Sequence, residues 1–141
     1  SSAIAMDAQH KFLRAGLSAA AYCDNHMQAI VASHLTKDDV AIGISHSGSS
    51  IDVVEALRLS KEAGATTICI TNFGKSPIIK QSDIVLYTAS EETKYTIFGM
   101  YSRIAQLAII DTIYTYIVLH KSEESLKAIR ATEMALQNKK Y

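Results

Sequence analysis

A doubly wound α/β domain, with helices on both faces of a parallel sheet, is the fold this sequence predicts. Three observations carry the expectation. Short apolar, β-branched runs at Asp39–Ser45, Thr66–Thr71 and Ile84–Tyr87 alternate with helical patterns at intervals of roughly 20–25 residues, as βαβ units do. The first of these runs is apolar almost throughout, which suits a strand covered on both faces. The 141 residues are 48% hydrophobic and 20% charged, a composition that folds as one globular domain burying about two-thirds of its unfolded surface.

The elements follow in order. Ile4, Ala8 and Phe12 recur one helical turn apart, so Ala3 to Leu13 reads as a helix that Gly16 stops. Ala19 to Cys23 is a short apolar run with the character of a strand. Asp24 or Asn25 then caps a helix reaching about His34. After the strand Asp39–Ser45 and the loop "SHSGSS", Val53, Ala56, Leu57 and Ser60 line one helical face, opposite Asp52, Glu55, Arg58 and Lys61, and Gly64 ends that helix. Beyond Thr66–Thr71, Ser76 caps a short helix with Pro77 at its first position. "TASEETK" is a polar loop after Ile84–Tyr87. A long helix runs from about Tyr95 to His120, and Ser122 or Glu123 begins the last one. The chain opens on "SSAIAMD", a helix with no strand before it. The expectation is therefore a three-layer sheet of Rossmann or flavodoxin type that lacks its first strand, in a fragment of a longer protein.

Composition excludes several functions. Fourteen basic and fourteen acidic residues cancel, so nothing in this chain marks a nucleic-acid surface. Cys23 and Cys69 lack the number and spacing of a disulfide framework or a zinc site, and read as buried free thiols in a reducing cytoplasm. No signal peptide opens the chain. Thr96 to Leu119 is long enough to cross a bilayer, but Arg103, Gln106 and Asp111 within it favour a buried helix over a membrane span. Being apolar nearly all round, that helix calls for cover on more than one side, from a second subunit or from the domain itself. Asp111, if buried, needs a partner.

The chemistry gathers where the strand Asp39–Ser45 meets the next helix. In open α/β sheets ligands sit at the carboxyl ends of strands, where free backbone N–H groups and the helix dipole attract phosphate. Ser45, Ser47, Ser49 and Ser50 around Gly48 let the backbone approach an anion closely and add hydroxyl donors. The loop is neither a Walker A nor a GxGxxG loop, and no motif calls for a cofactor or metal. A simpler reading makes "SSID" a capping box, with Ser49 as the cap and Asp52 three residues on, which leaves Ser45 and Ser47 without a task.

"SHSGSSIDVVEALRLSKEAGATTICITNFGKSPI", "SDIVLYTASEE" and "SRIAQLAIIDTIYT" together resemble the SIS (sugar isomerase) domain of RpiR-type bacterial transcription regulators, over essentially the whole chain. The SxSGxS loop marks SIS domains broadly, and the other segments resemble the regulator branch. The resemblance implies a SIS-type fold, a phosphosugar effector, a homodimer or higher homo-oligomer, and DNA binding only through a helix-turn-helix domain absent from this chain. It places the phosphosugar serines on Ser45, Ser47 and Ser50, with His46 and Ser49 in the same loop. Ser1 matches the last serine of the family's first loop, G-x-G-x-S, whose glycines are missing here.

Other residues have two readings each. Glu91 and Glu92 follow a strand end, where a carboxylate would accept hydrogen bonds from sugar hydroxyls or act as a general base; otherwise they form a solvated acidic loop. His26 opens a helix at a place where SIS isomerases carry a histidine that reaches a neighbouring subunit's site; alone, it is a surface or interface residue. His46 either donates a proton to sugar oxygens or points away from the cleft. Lys75 either reaches a phosphate or is solvated. Three functions stay open: a sensing domain of a sugar-responsive regulator, a phosphosugar aldose–ketose isomerase, and a dimerisation module with a decayed site. The intact serine loop counts against the third, and the regulator-like segments put the first ahead.

Overall fold

A computed structural model of the chain describes residues 1–91 and 100–139. In chain order the elements are α1 (Ser2–Arg14), α2 (Asn25–His34), β1 (Val40–Ile44), α3 (Ile51–Glu62), β2 (Thr66–Asn72), α4 (Pro77–Lys80), β3 (Ile84–Thr88), α5 (Met100–His120) and α6 (Ser122–Leu136), closed by a 3-10 turn at Gln137–Lys139. The strands form a parallel sheet in the order β1-β2-β3. Ile44 lies opposite Ile70, and Asn72 opposite Thr88, so the three carboxyl ends finish side by side.

Two neighbouring residues of β2 show how the layers are built. Side chains alternate across a strand, so Cys69 and Ile70 face opposite ways. Cys69 packs with Leu57 of α3 and Ile78 of α4. Ile70 packs with Ile44, with Ile4, Ala8 and Phe12 of α1, and with Ile110 of α5. Both crossover helices thus lie on one face, as right-handed connections between adjacent parallel strands require, and α1 and α5 cover the other. The result is three layers.

Local chemistry sets the boundaries. Asp24 caps α2 by accepting the Met27 N–H at 2.9 Å. α1 and α3 end in Schellman turns, Leu17 N–H to the Phe12 carbonyl and Ala65 N–H to the Ser60 carbonyl, each 3.0 Å. Gly43 in β1 lets α3 lie close over the strand: a Cβ there would sit 2.7 Å from Leu57 Cδ1. That close approach brings the start of α3 down onto the end of β1.

The expectations for Ala19–Cys23 and for Cys23 are corrected. Ala19–Cys23 is not a strand. Strand structure needs a hydrogen-bonded neighbour, and among the described residues β1 pairs only with β2, while Ala21 N–H donates to Gln9 Oε1 at 2.6 Å. Cys23 is exposed, and only Cys69 is buried, where desolvation raises its thiol pKa. α5 is long and apolar enough to cross a membrane, yet within this chain it buries one stripe, Ser102, Gln106 and Ile110, and leaves Ile104, Tyr116 and Leu119 exposed. Asp111 is exposed rather than buried, and its partner is Lys11 of α1, which also holds Asp7 at 2.6 Å.

Asp83, just before β3, ties the amino ends of β2 and β3 together. It accepts Thr67 N–H at 2.9 Å and Thr67 Oγ1 at 3.1 Å, and pairs with Lys61 at 3.0 Å. The Thr67 N–H bond first, then Lys61, holds its pKa below the ordinary 3.8. A depressed folded pKa gives stability that is present above the unfolded value and lost as pH falls through the folded one. Asp83→Asn is therefore expected to lower the urea midpoint at pH 7, with the gap to wild type narrowing below pH 3.8. A gap that stays constant from pH 7 to pH 2.5 would refute this linkage.

Candidate functional site

The serine loop starts as a continuation of β1. Ser45 N–H donates to the Ile70 carbonyl at 3.0 Å, and the His46 carbonyl accepts Asn72 N–H at 3.1 Å and Thr71 Oγ1 at 3.4 Å. The chain then turns away at Gly48, whose φ is +64°. Gly48 N–H points back to Ser45, 3.2 Å from both its carbonyl oxygen and its Oγ. The Gly48 carbonyl accepts Ile78 N–H from the first turn of α4 at 3.0 Å. Bonds to β2 and α4 thus hold the loop from two sides.

Its hydroxyls are turned on one another. Ser45 Oγ and Ser50 Oγ lie 3.1 Å apart, and Ser49 Oγ donates to Ser47 Oγ at 3.1 Å. The capping-box expectation for Ser49 is corrected: the N-cap of α3 is Ser50, and no side chain makes a cap bond there. The helix starts one residue later than the box requires, and the Ser49 hydroxyl is engaged with Ser47. The first N–H groups of α3, at Ile51, Asp52 and Val53, have no carbonyl within the helix to take them, and none of the serines is spent on them. Backbone donors, the positive end of a 12-residue helix and four hydroxyls therefore converge with no fixed cation. Ser45 is 2% exposed and forms the floor, while Ser47, Ser49 and Ser50 form the open rim. Such a loop can hold a tetrahedral oxyanion.

Of the remaining candidates, His46 lies in the loop and the others stand apart from it. His46 is half-buried, and its Nδ1 is buried without a hydrogen-bond partner. Glu91 is exposed, just beyond the carboxyl end of β3, and Glu92 lies outside the described residues. His26 is exposed in the first turn of α2, which lies along α3. Ser1 is the N-cap residue of α1, exposed and without a side-chain cap bond. Lys75 is exposed in the loop before α4. Among the described residues no hydrogen bond joins Ser1, His26, Glu91 or Lys75 to the serine loop.

Sequence reasoning passed over four residues here. Thr71, fully buried, and Ser76, whose Oγ is buried and unpartnered, crowd against Gly48. Asn72 Oδ1 accepts Ser90 N–H at 3.0 Å, joining the ends of β2 and β3. A readable signal existed for two of them, since polar Thr71 and Asn72 follow the apolar Ile68–Ile70 run at the carboxyl end of the strand, where ligands sit in such sheets.

Comparison with known proteins places this geometry. The SIS domain family model matches residues 1–116. An uncharacterised HTH-type transcriptional regulator of Caldanaerobacter subterraneus is 41% identical over 140 residues, 99% of this chain and 50% of that protein. The HTH-type transcriptional regulator RpiR of Escherichia coli K12 is 38% identical over 125 residues, 89% of this chain and 42% of its own length. The chain thus spans about half the length of the curated relatives it matches. Among solved structures, the Vibrio vulnificus NanR protein complexed with ManNAc-6P superposes with a TM-score of 0.91 at 22% identity, over 99% of this chain and 52% of that one. At that identity the likeness is one of fold, and several other solved neighbours are named putative sugar-phosphate isomerases. On the family match, the chain belongs to the SIS domain family, and its curated relatives are HTH-type transcriptional regulators.

Proposed function

We propose that this chain is the effector-binding domain of a sugar-responsive transcription regulator, taking a phosphosugar at the serine loop. One observation carries the reading: four hydroxyls face one another over the start of α3, and none of them caps it. In this reading Ser45, Ser47 and Ser50, with the first N–H groups of α3, hold the phosphate. Ser49 and His46 complete the loop, Glu91 accepts from sugar hydroxyls, and Ser1 joins from the start of α1. His26 serves a neighbouring subunit's site. The regulator relatives and a solved neighbour holding ManNAc-6P support the ligand class.

Release from DNA then has a simple form. The chain pairs with a second copy, and DNA is held by a helix-turn-helix domain outside it. A phosphosugar with different contacts in two dimer arrangements shifts the balance between them by its difference in affinity. The isomerase reading needs a base placed over the substrate; among the described residues, Glu91 is exposed and makes no hydrogen bond to the loop.

The test is a binding and thermal-shift panel on the full-length protein. It comprises hexose 6-phosphates, N-acetylmannosamine 6-phosphate, pentose 5-phosphates and inorganic phosphate, with product analysis of each mixture. Ser45→Ala and Ser47→Ala are each expected to weaken binding about 10- to 100-fold, the worth of one hydrogen bond to a charged group. Aldose-to-ketose conversion would make the protein an isomerase. Binding unchanged in both variants would remove the loop from the site, and no response to any phosphate would leave a dimerisation module.

A further inference from the structure

The serine loop accounts for a phosphate and leaves a second polar group unexplained on the other face of the sheet. Alternation along the strands carries His46 onto the same side as Ile44, Asn72 onto that of Ile70, and Thr88 onto that of Leu86, the side that α1 and α5 cover. These three residues form a polar row above the apolar core, at the carboxyl edge. Hydrogen bonds join them: Asn72 N–H donates to the His46 carbonyl at 3.1 Å, and Thr88 Oγ1 to Asn72 Oδ1 at 3.4 Å. Asn72 Oδ1 also accepts Ser90 N–H at 3.0 Å, which fastens the segment after β3 beside this row.

Within so connected a group, two polar side-chain atoms have no use. Among the described residues, His46 Nδ1 and Ser90 Oγ are both buried and both lack a hydrogen-bond partner. Buried polar atoms are nearly always satisfied, and an orphan forfeits its hydration in water. Asn72 spends its Oδ1 on Ser90 and Thr88, and its Nδ2 donates to nothing among the described residues. A hydroxyl, an imidazole and an amide NH2 together can both donate and accept. That is the chemistry that reads the hydroxyls of a sugar, and it adjoins the loop that would hold the phosphate.

Resting on the phosphosugar reading above, we infer that Ser90 is a specificity-determining residue that binds a sugar hydroxyl. Asn72 is the positioning residue that ties the Ser90 segment to the end of β2. The ligand then straddles the carboxyl edge of the sheet, its phosphate over α3 and its hydroxyls on the side of α1 and α5. Ser90→Ala separates this role from a structural one, because the tether runs through the backbone N–H of residue 90 and survives the substitution.

The experiment measures affinities of the full-length protein for the same panel of phosphosugars and for inorganic phosphate. Ser90→Ala is expected to weaken the tightest phosphosugar about tenfold and inorganic phosphate less than about twofold, with Ser90→Thr restoring the difference. Asn72→Ala, which frees the Ser90 segment, is expected to lower the ratio of phosphosugar to phosphate affinity at least as far. An equal loss for sugar and phosphate, or none for either, would overturn the inference while leaving the serine loop in place. So would a wild-type protein that binds no phosphosugar tighter than inorganic phosphate. Absence of all binding, together with Ser45→Ala indistinguishable from wild type, would overturn the phosphosugar reading itself and this inference with it.

Discussion

Gly48→Ala is expected to abolish the phosphosugar binding proposed above and to destabilise the fold by about 2–5 kcal/mol, because two independent costs fall on one residue. The first is conformational. Gly48 has φ +64°, in the left-handed region where a Cβ crowds the following carbonyl, at about 1–2 kcal/mol. The second is steric. A Cβ at this position would lie 2.6 Å from Ser76 Cβ and 2.7 Å from Thr71 Oγ1, with Ser76 Oγ closer still. Overpacking of that kind costs about a further 1–3 kcal/mol. Thr71 is fully buried in β2, and the Ile78 N–H of α4 holds the Gly48 carbonyl at 3.0 Å, so neither side has room to give. The loop is the part free to move, and moving it breaks the Gly48–Ser45 bonds that set the floor of the site. Urea unfolding and inorganic phosphate titration check both halves. A variant with wild-type midpoint and affinity would show that the turn at Gly48 does not hold the loop.

Much of this was readable in the residues. The βαβ order is a matter of period, and period survives in a single sequence: α1, α3, α4 and the three strands lie within one or two residues of their expected places. The candidate loop was readable for a chemical reason, since hydroxyls without cations at a strand-to-helix handover serve few purposes. What failed depends on neighbours. Whether Ala19–Cys23 forms a strand depends on having another strand to pair with, and its own composition cannot supply one. Whether Ser49 or Ser50 caps α3 turns on a single residue of register, which adjacent serines leave undetermined.

The polar row was invisible for a related reason. Asn72 and Ser90 are 18 residues apart and meet only because β2 and β3 are paired in a particular register. Nothing in "TNF" or "TASE" indicates that one amide oxygen would hold the other segment's backbone. Cys23 and Asp111 illustrate the same limit from the side of burial. Both lie in apolar stretches, yet both are exposed, because an apolar run does not say which of its faces meets the core.

That ambiguity is greatest in α5, and it leads to the second large effect: Ile104→Glu is expected to convert the proposed dimer into monomers. The buried stripe of α5 is Ser102, Gln106 and Ile110. At 100° per residue, Tyr101, Ile104, Ala108, Asp111, Thr112, Thr115 and Leu119 fall on the opposite side, where Asp111 is paired with Lys11. Tyr101, Ile104 and Leu119 there are 51%, 68% and 70% exposed, flanked by Tyr116 at 61%, and the small residues between them allow close approach of another helix. Met6 and Leu13 of the adjoining α1 add to the patch. An exposed, largely apolar face of this extent marks an interaction surface, and a second copy of the chain is the occupant proposed above. A glutamate at position 104 would place an unpaired charge within that contact, once from each subunit. Central interface residues cost about 2–4 kcal/mol when lost, or roughly 30- to 1,000-fold in dissociation constant. Sedimentation equilibrium reads this directly, with Arg130→Glu on exposed α6 as a charge control away from the stripe. A variant that stays dimeric with a wild-type constant would show that another surface joins the subunits. A wild-type monomer would leave the face to another partner, a membrane included, since α5 has the length and hydropathy to cross one.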